Sequence, residues 1–278
     1  MSMKNERMSS VSGMFYPADP AELRHDVDSY LGPEQSERAK TERPMGIIAP
    51  HAGYMYSGEI AGRAYSHLRK EQYSTVVVIA PSHKDGFNGI TVYDGEAYNT
   101  PLGRAQIDHA LRKMCLNVSS DIQASAFGHR SEHAVEVQLP FLQKTLGSFM
   151  LLPLVMGSHD PGISIRLGQV IAQIVPTMNV LLVASTDLSH FFSLKQAEIL
   201  DRNTIGRIAA MDPEGLAEEL VAGNSEACGG APTIAVLTAL RALGATRVEV
   251  TARGSSADVT HDARSVVGYC SAVVWGNR

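Results

Sequence analysis

The chain has 278 residues, of which 44% are hydrophobic and 19% charged, and its formal net charge is −5. This composition excludes an intrinsically disordered chain, and the negative charge argues against a protein that binds nucleic acid by neutralising phosphates. The three cysteines form no CxxC pair, and no apolar stretch approaches the ~20 residues needed to cross a bilayer. We therefore expect a cytoplasmic protein that binds neither nucleic acid nor membrane and has no disulfide framework.

The predicted elements alternate between helices and strands along the chain. Residues 1–10 are polar and predicted to be a disordered extension, and residues 32–43 a surface loop. Helical spacing of apolar residues predicts helices over 21–31, 57–70, 104–115, 132–146, 194–210 and 232–243. Short apolar runs predict strands over 46–49, 75–80, 89–93, 149–156, 179–184, 247–252 and 266–274.

The alternation of strands with helices predicts an α/β fold. Continuous β-branched runs such as 75–80 are typical of strands that helices cover on both faces. We therefore expect a single domain over 11–278 with a central mixed, largely parallel sheet covered by helices, although the length alone would also allow two domains. In such sheets, functional sites lie at the carboxyl ends of the strands.

Three predicted strands end in loops that carry histidine. His51 and His83 follow a strand and a proline, and His190 follows the strand over 179–184 together with Asp187. Neutral imidazole is the most common metal ligand in such loops, although a single histidine more often serves as a hydrogen-bonding partner in its loop. Three histidines at one topological position favour a site, provided that the strands are neighbours.

Two further segments contain reactive side chains. His129, Glu132 and His133 surround the predicted start of a helix, where an acidic residue is also favoured by the helix dipole; there is no HEXXH zinc motif. Cys228 precedes a helix, so its thiolate could be stabilised there, and it could be a metal ligand, a nucleophile or a small buried residue. Cys115 and Cys270 lie in apolar elements and are expected in the core.

The motifs taken together resemble those of the Memo family, called AmmeMemoRadiSam system protein B in prokaryotes. They follow the family's order over almost the whole chain. The segments that carry the resemblance are GMFYP (13–17), APHAGY (49–54), YSG (56–58), APSH (80–83), EHAVEVQLPF (132–141), STDLSH (185–190), CG (228–229) and SVVGY (265–269).

The resemblance implies a fold like that of the class III extradiol dioxygenases, which hold non-haem iron with two histidines and a glutamate. His51 and His83 match the two histidines, and Cys228 stands at the third position of the Memo pattern. His190 is similar to the acid/base histidine of the dioxygenases, and Asp187 and His133 match further pocket residues. Because thiolate is a softer ligand than carboxylate, the expected metal is Fe(II), with Cu or Zn as alternatives.

Three functions remain open at this point. The first is a metal-dependent, dioxygenase-like oxidoreductase acting on an unidentified small molecule or peptide. The second is a non-catalytic accessory protein whose pocket binds a ligand or a protein. The third is a hydrolase with zinc-activated water, since two histidines and a cysteine form a known catalytic zinc set. The family's prokaryotic name further implies a pathway shared with a radical-SAM protein and an AMMECR-type protein.

Overall fold

The computed structural model describes residues 5–32, 42–175 and 179–276. The helices are α1 (Pro20–Leu31), α2 (Tyr54–Tyr65), α3 (His109–Val118), α4 (Leu139–Leu146), α5 (Pro161–Ile174), α6 (Leu194–Ala209), α7 (Pro213–Ala222), α8 (Gly230–Ala242) and α9 (Ala257–Thr260). The strands are β1 (Glu6–Arg7), β2 (Pro44–Ala49), β3 (Thr75–Pro81), β4 (Ile90–Val92), β5 (Ala97–Thr100), β6 (Gly103–Ile107), β7 (Ile122–Ala124), β8 (Met150–Met156), β9 (Val180–Ser185), β10 (His190–Phe192), β11 (Ala245–Ser255) and β12 (Val266–Gly276).

The centre of the sheet is parallel, and its borders are mixed. The strands run in the order β6-β8-β3-β9-β2, and each of these neighbouring pairs is parallel. β12 then pairs antiparallel with β2 on one side and with β11 on the other. The predicted single α/β domain with a mixed, largely parallel sheet is therefore confirmed.

Both faces of the central strands are buried because helices cover each of them. Val78 of β3 packs into a cluster that includes Phe141 of α4, together with residues of α1 and α2. The next residue, Ile79, faces the opposite way into a cluster that includes Leu237 of α8, with residues of α3 and α5. Because successive side chains of a strand point to opposite faces, continuous apolar runs suit this three-layer arrangement.

The helix predicted over 104–115 is wrong in its first half. Ala105 and Ile107 are buried while Arg104 and Gln106 are exposed, and this alternation belongs to strand β6. Helix α3 begins only after Asp108, whose side chain accepts a hydrogen bond from the Leu111 backbone. The spacing of apolar residues changes from a period of two in β6 to a period of 3.6 in α3, so a single helical spacing does not describe the whole range.

The helix predicted over 132–146 begins later than expected. A single 3-10 turn over Glu136–Gln138 leads into α4, which starts at Leu139. Pro140 has no backbone N–H to donate, so it fits the first turn of a helix and is unfavourable in the interior. Residues 132–135 are consequently free to form the irregular segment that carries Glu132 and His133.

Several elements were not predicted. Helices α5 and α7 each begin at a proline preceded by a capping aspartate, Asp160 and Asp212, so a start signal was present for both. Strands β1, β5, β7 and β10 were also missed. They have two to four residues each, and their identity as strands depends on partners elsewhere in the sheet.

The expected disorder of residues 1–10 is corrected for the part that the structure describes, which starts at residue 5. Glu6–Arg7 pairs with β5 as strand β1, and the Arg7 side chain is buried. Residues 1–4 and most of the predicted loop, 33–41, lie outside the described residues. Within the described ranges, no helix combines the length and the apolar character that a membrane crossing requires.

Candidate metal centre

Three parallel strands bring their following loops to one edge of the sheet. His51, His83 and Asp187 each lie two residues beyond the end of β2, β3 and β9. The sequence-based prediction required the strands of His51 and His83 to be direct neighbours. They are not, because β9 runs between them. Their loops nevertheless converge, since β9 is parallel to both, and Asp187 lies between the two histidines along the sheet edge.

The His51 ring is held in one orientation by Ser185. His51 Nδ1 lies 2.9 Å from Ser185 Oγ, and that hydroxyl donates to the Ala134 carbonyl and accepts from Gln138 Nε2. A serine hydroxyl has a single hydrogen, so towards His51 it can only accept. We therefore assign the ring proton to Nδ1, which leaves Nε2 as a free lone pair facing Cys228.

Cys228 completes a close pair with His51. Its Sγ lies 3.1 Å from His51 Nε2 and accepts a hydrogen bond from the Asp187 backbone. The turn before α8 brings the cysteine this close to β9 because residue 229 is glycine. A Cβ at this position would lie 2.2 Å from the Ser185 carbonyl oxygen.

Burial keeps both members of this pair neutral. Desolvation, followed by the nearby His83, lowers the pKa of His51 to about 3. Desolvation, together with the carboxylate of Asp187, raises the pKa of the Cys228 thiol well above its usual range. The thiolate that a helix N-terminus could stabilise is therefore not favoured by the protein alone, because desolvation outweighs the backbone hydrogen bonds from Asp187 and Gly229.

Glu132 holds His83 from the opposite side. Its carboxylate accepts hydrogen bonds from His83 Nδ1, at 3.0 Å, and from the backbone of His83 and of Ala134. Burial alone would raise the pKa of Glu132, but the hydrogen bonds from His83, together with the proximity of His83 and His133, outweigh it and lower this pKa to about 2. Glu132 is thus a buried carboxylate that orients a histidine ring, not the acidic first-turn residue of a helix.

His133 packs against the other two rings. Its ring centroid lies 4.8 Å from that of His83, in a stacked arrangement, and 5.4 Å from that of His51. Phe15 covers it from the N-terminal segment at 4.8 Å. Burial, followed by His51, lowers the pKa of His133 to about 4, so the ring is neutral and can accept or donate one proton.

Asp187 and His190 form the remaining side of the site. Asp187 accepts a hydrogen bond from the His51 backbone, and burial raises the pKa of its carboxyl group. The His190 backbone donates to Glu226, which fixes the position of a ring that is 26% exposed. The ring of His190 therefore lies at the opening of the site and not in its floor.

Among the residues that the structure describes, the potential ligand atoms form three overlapping groups, and within each group all atoms lie within 4.8 Å of one another. All six predicted site residues belong to these groups, and Glu132 is added to them. The groups are His51, His83 and Cys228; His83, Glu132 and His133; and Asp187, His190 and Cys228.

His129 does not join the site. It is fully buried, with Nδ1 bonded to the Tyr98 hydroxyl at 2.6 Å and Nε2 facing the Thr91 carbonyl at 3.3 Å. Both ring nitrogens therefore have protein partners, and the role of His129 is structural. Cys115 and Cys270 are buried in the core as expected.

Two residues of the site were missed by sequence reasoning. Ser185 is the last residue of β9, and its polar side chain after an apolar run was the available signal. Glu132 directly precedes His133, and its sequence position fits a site residue and the acidic first-turn residue of a helix equally well. What identifies it as part of the site is its contact with His83, which is 49 residues away in sequence.

Comparison with known proteins supports the resemblance noted above. The family model described as "Memo-like protein" matches residues 7–273. A MEMO1 family protein of Methanopyrus kandleri is 36% identical over 96% of this chain and 98% of its own length. One from Methanocaldococcus jannaschii is 34% identical over 98% of this chain and 100% of its own length.

A solved structure shares the fold. It is an uncharacterized protein from Escherichia coli K12, which aligns with a TM-score of 0.50 at 15% identity and covers 84% of this chain and all of its own. At this identity the likeness concerns the fold alone. The family match over nearly the full length, with the site motifs in place, shows that this chain belongs to the Memo family.

Proposed function

We propose that this protein binds a transition-metal ion, Fe(II) in the first place, through His51, His83 and Cys228, and acts as a dioxygenase-like oxidoreductase. The observation that carries the proposal is the lone pair of His51 Nε2, which faces Cys228 Sγ at 3.1 Å while Nδ1 is occupied by Ser185. Metal-binding histidines characteristically have their second nitrogen tied in this way. His83, tied through Nδ1 to Glu132, repeats the pattern.

The donor set fits a metal ion that accepts imidazole and thiolate, such as Fe, Cu or Zn. His51 is neutral, as a ligand must be, and a bound cation would favour ionisation of the partly buried Cys228 thiol, whose pKa is raised in its absence. When bound, such an ion would supply Lewis-acid chemistry, and Fe or Cu would add redox chemistry, with His51, His83 and Cys228 as the residues that hold it.

The remaining groups suit the handling of a substrate and its protons. His190 is partly exposed at the opening and can hold or give up a proton there as a general acid or base. Asp187 lies beside Cys228 and His190, and His133 is stacked on His83, so both can orient a bound molecule. The proposed location is the cytoplasm, because a reducing compartment keeps a cysteine ligand in its thiol form.

The test is metal analysis of the protein purified without oxygen, compared with His51→Ala, Cys228→Ser and the control His25→Ala, which changes an exposed histidine on α1. We expect about one ion per chain in the parent and the control, and a loss of at least ~10-fold in affinity in the two site variants. Metal content at background level in the parent, after reconstitution with Fe(II), Cu and Zn in turn, would falsify the proposal.

A second candidate function follows from the same donor set. Two histidines and one cysteine also form a catalytic zinc site in which the fourth position holds water. A zinc hydrolase would be supported if the zinc-loaded protein cleaved esters, amides or phosphoesters while the iron-loaded protein showed no oxygen consumption. The association with a radical-SAM protein and an AMMECR-type protein stays a prediction from the family's name, to be tested by co-purification.

A further inference from the structure

Arg7 and Glu136 form a buried ion pair behind the metal centre. The guanidinium Nη1 of Arg7 lies 2.6 Å from Glu136 Oε2, and the exposed fraction of the side chain is 3% for Arg7 and 0% for Glu136. The Arg7 guanidinium also lies over the Tyr98 ring at 4.6 Å. Neither residue belongs to the groups of potential metal ligands. Arg7 contacts the segment that carries Glu132 and His133, and Glu136 begins the 3-10 turn that follows it.

Arg7 fixes the backbone of that segment at two places. Its Nε donates to the His129 carbonyl, and its Nη2 donates to the Glu132 carbonyl at 2.6 Å. Residues 129–132 have no helix or strand to hold them. The planar guanidinium with its five donors therefore supplies the hydrogen bonds to these backbone carbonyls that a neighbouring strand would supply in a sheet.

Glu136 gathers the N-terminal segment around the same point. Besides Arg7, its carboxylate accepts from the backbone and the hydroxyl of Ser10, from the Val11 backbone and from the Tyr16 hydroxyl. These bonds and the Coulombic attraction of Arg7 outweigh the effect of burial and lower the pKa of Glu136. Hydrogen bonds to Glu136 thereby attach residues 7–16 to the end of the segment that carries Glu132 and His133.

A buried ion pair is not by itself a source of stability. The cost of removing both charges from water often equals or exceeds their attraction, so such pairs are explained better by the geometry they impose than by the energy they supply. Here the imposed geometry is that of the Glu132 backbone. The Glu132 side chain in turn holds Nδ1 of His83 at 3.0 Å.

We propose that Arg7 and Glu136 are positioning residues for the metal centre. By holding the Glu132 carbonyl, Arg7, itself anchored by Glu136, aims the Glu132 carboxylate at His83 Nδ1 and so keeps His83 Nε2 directed into the site. The proposal deepens the proposed function, because it assigns to the N-terminal segment the control of one ligand ring. It predicts that metal affinity depends on residues more than 50 positions away from His83 in sequence.

The first experiment uses the protein without metal. Long-range ¹H–¹⁵N correlation spectra at mildly alkaline pH report which ring nitrogen of each histidine carries the proton. We expect His83 in the parent to be protonated at Nδ1, and in Arg7→Met to exchange between the two tautomers while His51 keeps Nδ1–H. The matched control is Arg166→Met, which breaks an exposed ion pair with Asp121 on the protein surface.

The second experiment titrates the same variants with Co²⁺ as a spectroscopic probe. We expect Arg7→Met to retain the thiolate-to-cobalt absorption from Cys228, to change the d–d bands and to bind Co²⁺ about 10-fold more weakly. Arg7→Lys, which restores the charge and some of the donors, should recover part of the affinity. If Arg7→Met does not fold, Glu136→Gln decides with the same measurements, since it keeps the shape of the side chain.

The two experiments separate this inference from the function it rests on. An unchanged His83 tautomer and an unchanged cobalt spectrum in folded Arg7→Met or Glu136→Gln would overturn the positioning role. Absence of Co²⁺ binding in the parent would count against the proposed metal site, while the tautomer measurement would still decide whether Arg7 controls the ring of His83.

Discussion

The two sides of the candidate site are built in different ways. The strand side consists of the loops that directly follow β2, β3 and β9 and carries His51, His83 and Asp187. The loop side consists of residues 129–138 and carries Glu132 and His133 on backbone with little regular structure. The strand side is fixed by the backbone hydrogen bonds of a buried parallel sheet, and the loop side by the side chains of Arg7, Glu136 and Ser185.

The comparison teaches how irregular backbone can hold a precise geometry. A sheet distributes the support over many bonds, so the loss of one side chain in it affects mainly global stability. A side-chain network concentrates the support in a few buried polar groups, and each unsatisfied group costs about 1–3 kcal/mol. A substitution in the sheet and a substitution in the side-chain network should therefore disturb different properties of the protein.

Truncating the core of the strand side should lower global stability without a specific effect on the site. Ile47 of β2 is fully buried, and Ile47→Ala should reduce the free energy of unfolding by about 2–5 kcal/mol, from lost burial and the cavity left behind. Denaturant unfolding measures the loss. The metal affinity of the folded variant should stay close to that of the parent, and a large drop would contradict the division into two sides.

Ser185 joins the two sides, and its removal should affect both stability and the site. Ser185→Ala leaves His51 Nδ1 and the Ala134 carbonyl without this partner, at a cost of about 1–3 kcal/mol. Because the orientation of His51 is lost as well, metal affinity should fall about 10- to 100-fold. Calorimetric titration with the metal measures the second effect, and Ser66→Ala, at an exposed hydroxyl after α2, serves as the control.

Metal affinity should rise with pH because Cys228 must lose its proton. Burial raises the pKa of this thiol well above its usual range, whereas His51, with a pKa of about 3, does not compete for protons near neutrality. Each bound ion should therefore release about one proton, and affinity should increase about tenfold per pH unit. Proton release into a weakly buffered solution with an indicator checks this, and Cys228→Ser should abolish it.

The smallest effect concerns acid stability on the loop side. The pKa of Glu136 is lowered from its usual 4.5, because Arg7 and the hydrogen bonds outweigh burial. The ionised carboxylate thus stabilises the fold fully above pH 4.5, and this contribution is lost as the pH falls through the lowered pKa of the folded state. Glu136→Gln should flatten the acid limb of the stability curve, and a parallel limb in the variant would argue against this assignment.

Sequence reasoning reached the central strands because their signal is local. The apolar run over 75–80 is continuous, and the same pattern recurs in β2, β8 and β9, so their type could be read from composition. The prediction of elements failed at β6 and α3, where the spacing of apolar residues changes from a period of two to a period of 3.6. It also failed at very short strands such as β1, which has two residues. There, the pairing partner and not the local sequence determines the structure.

For the site, the motifs indicated which residues take part, and the tertiary structure decided how they are arranged. The histidines after strand ends and Cys228 could be selected because residue type and position carry the chemistry, whereas Asp187 and His133 were selected through the resemblance to the Memo family. The tie between Glu132 and His83, the serine that orients His51 and the neutral state of Cys228 could not, since they depend on contacts between distant segments and on burial. Residue types and motifs therefore select the residues of the candidate centre, while packing at the sheet edge determines the orientation and charge of their side chains.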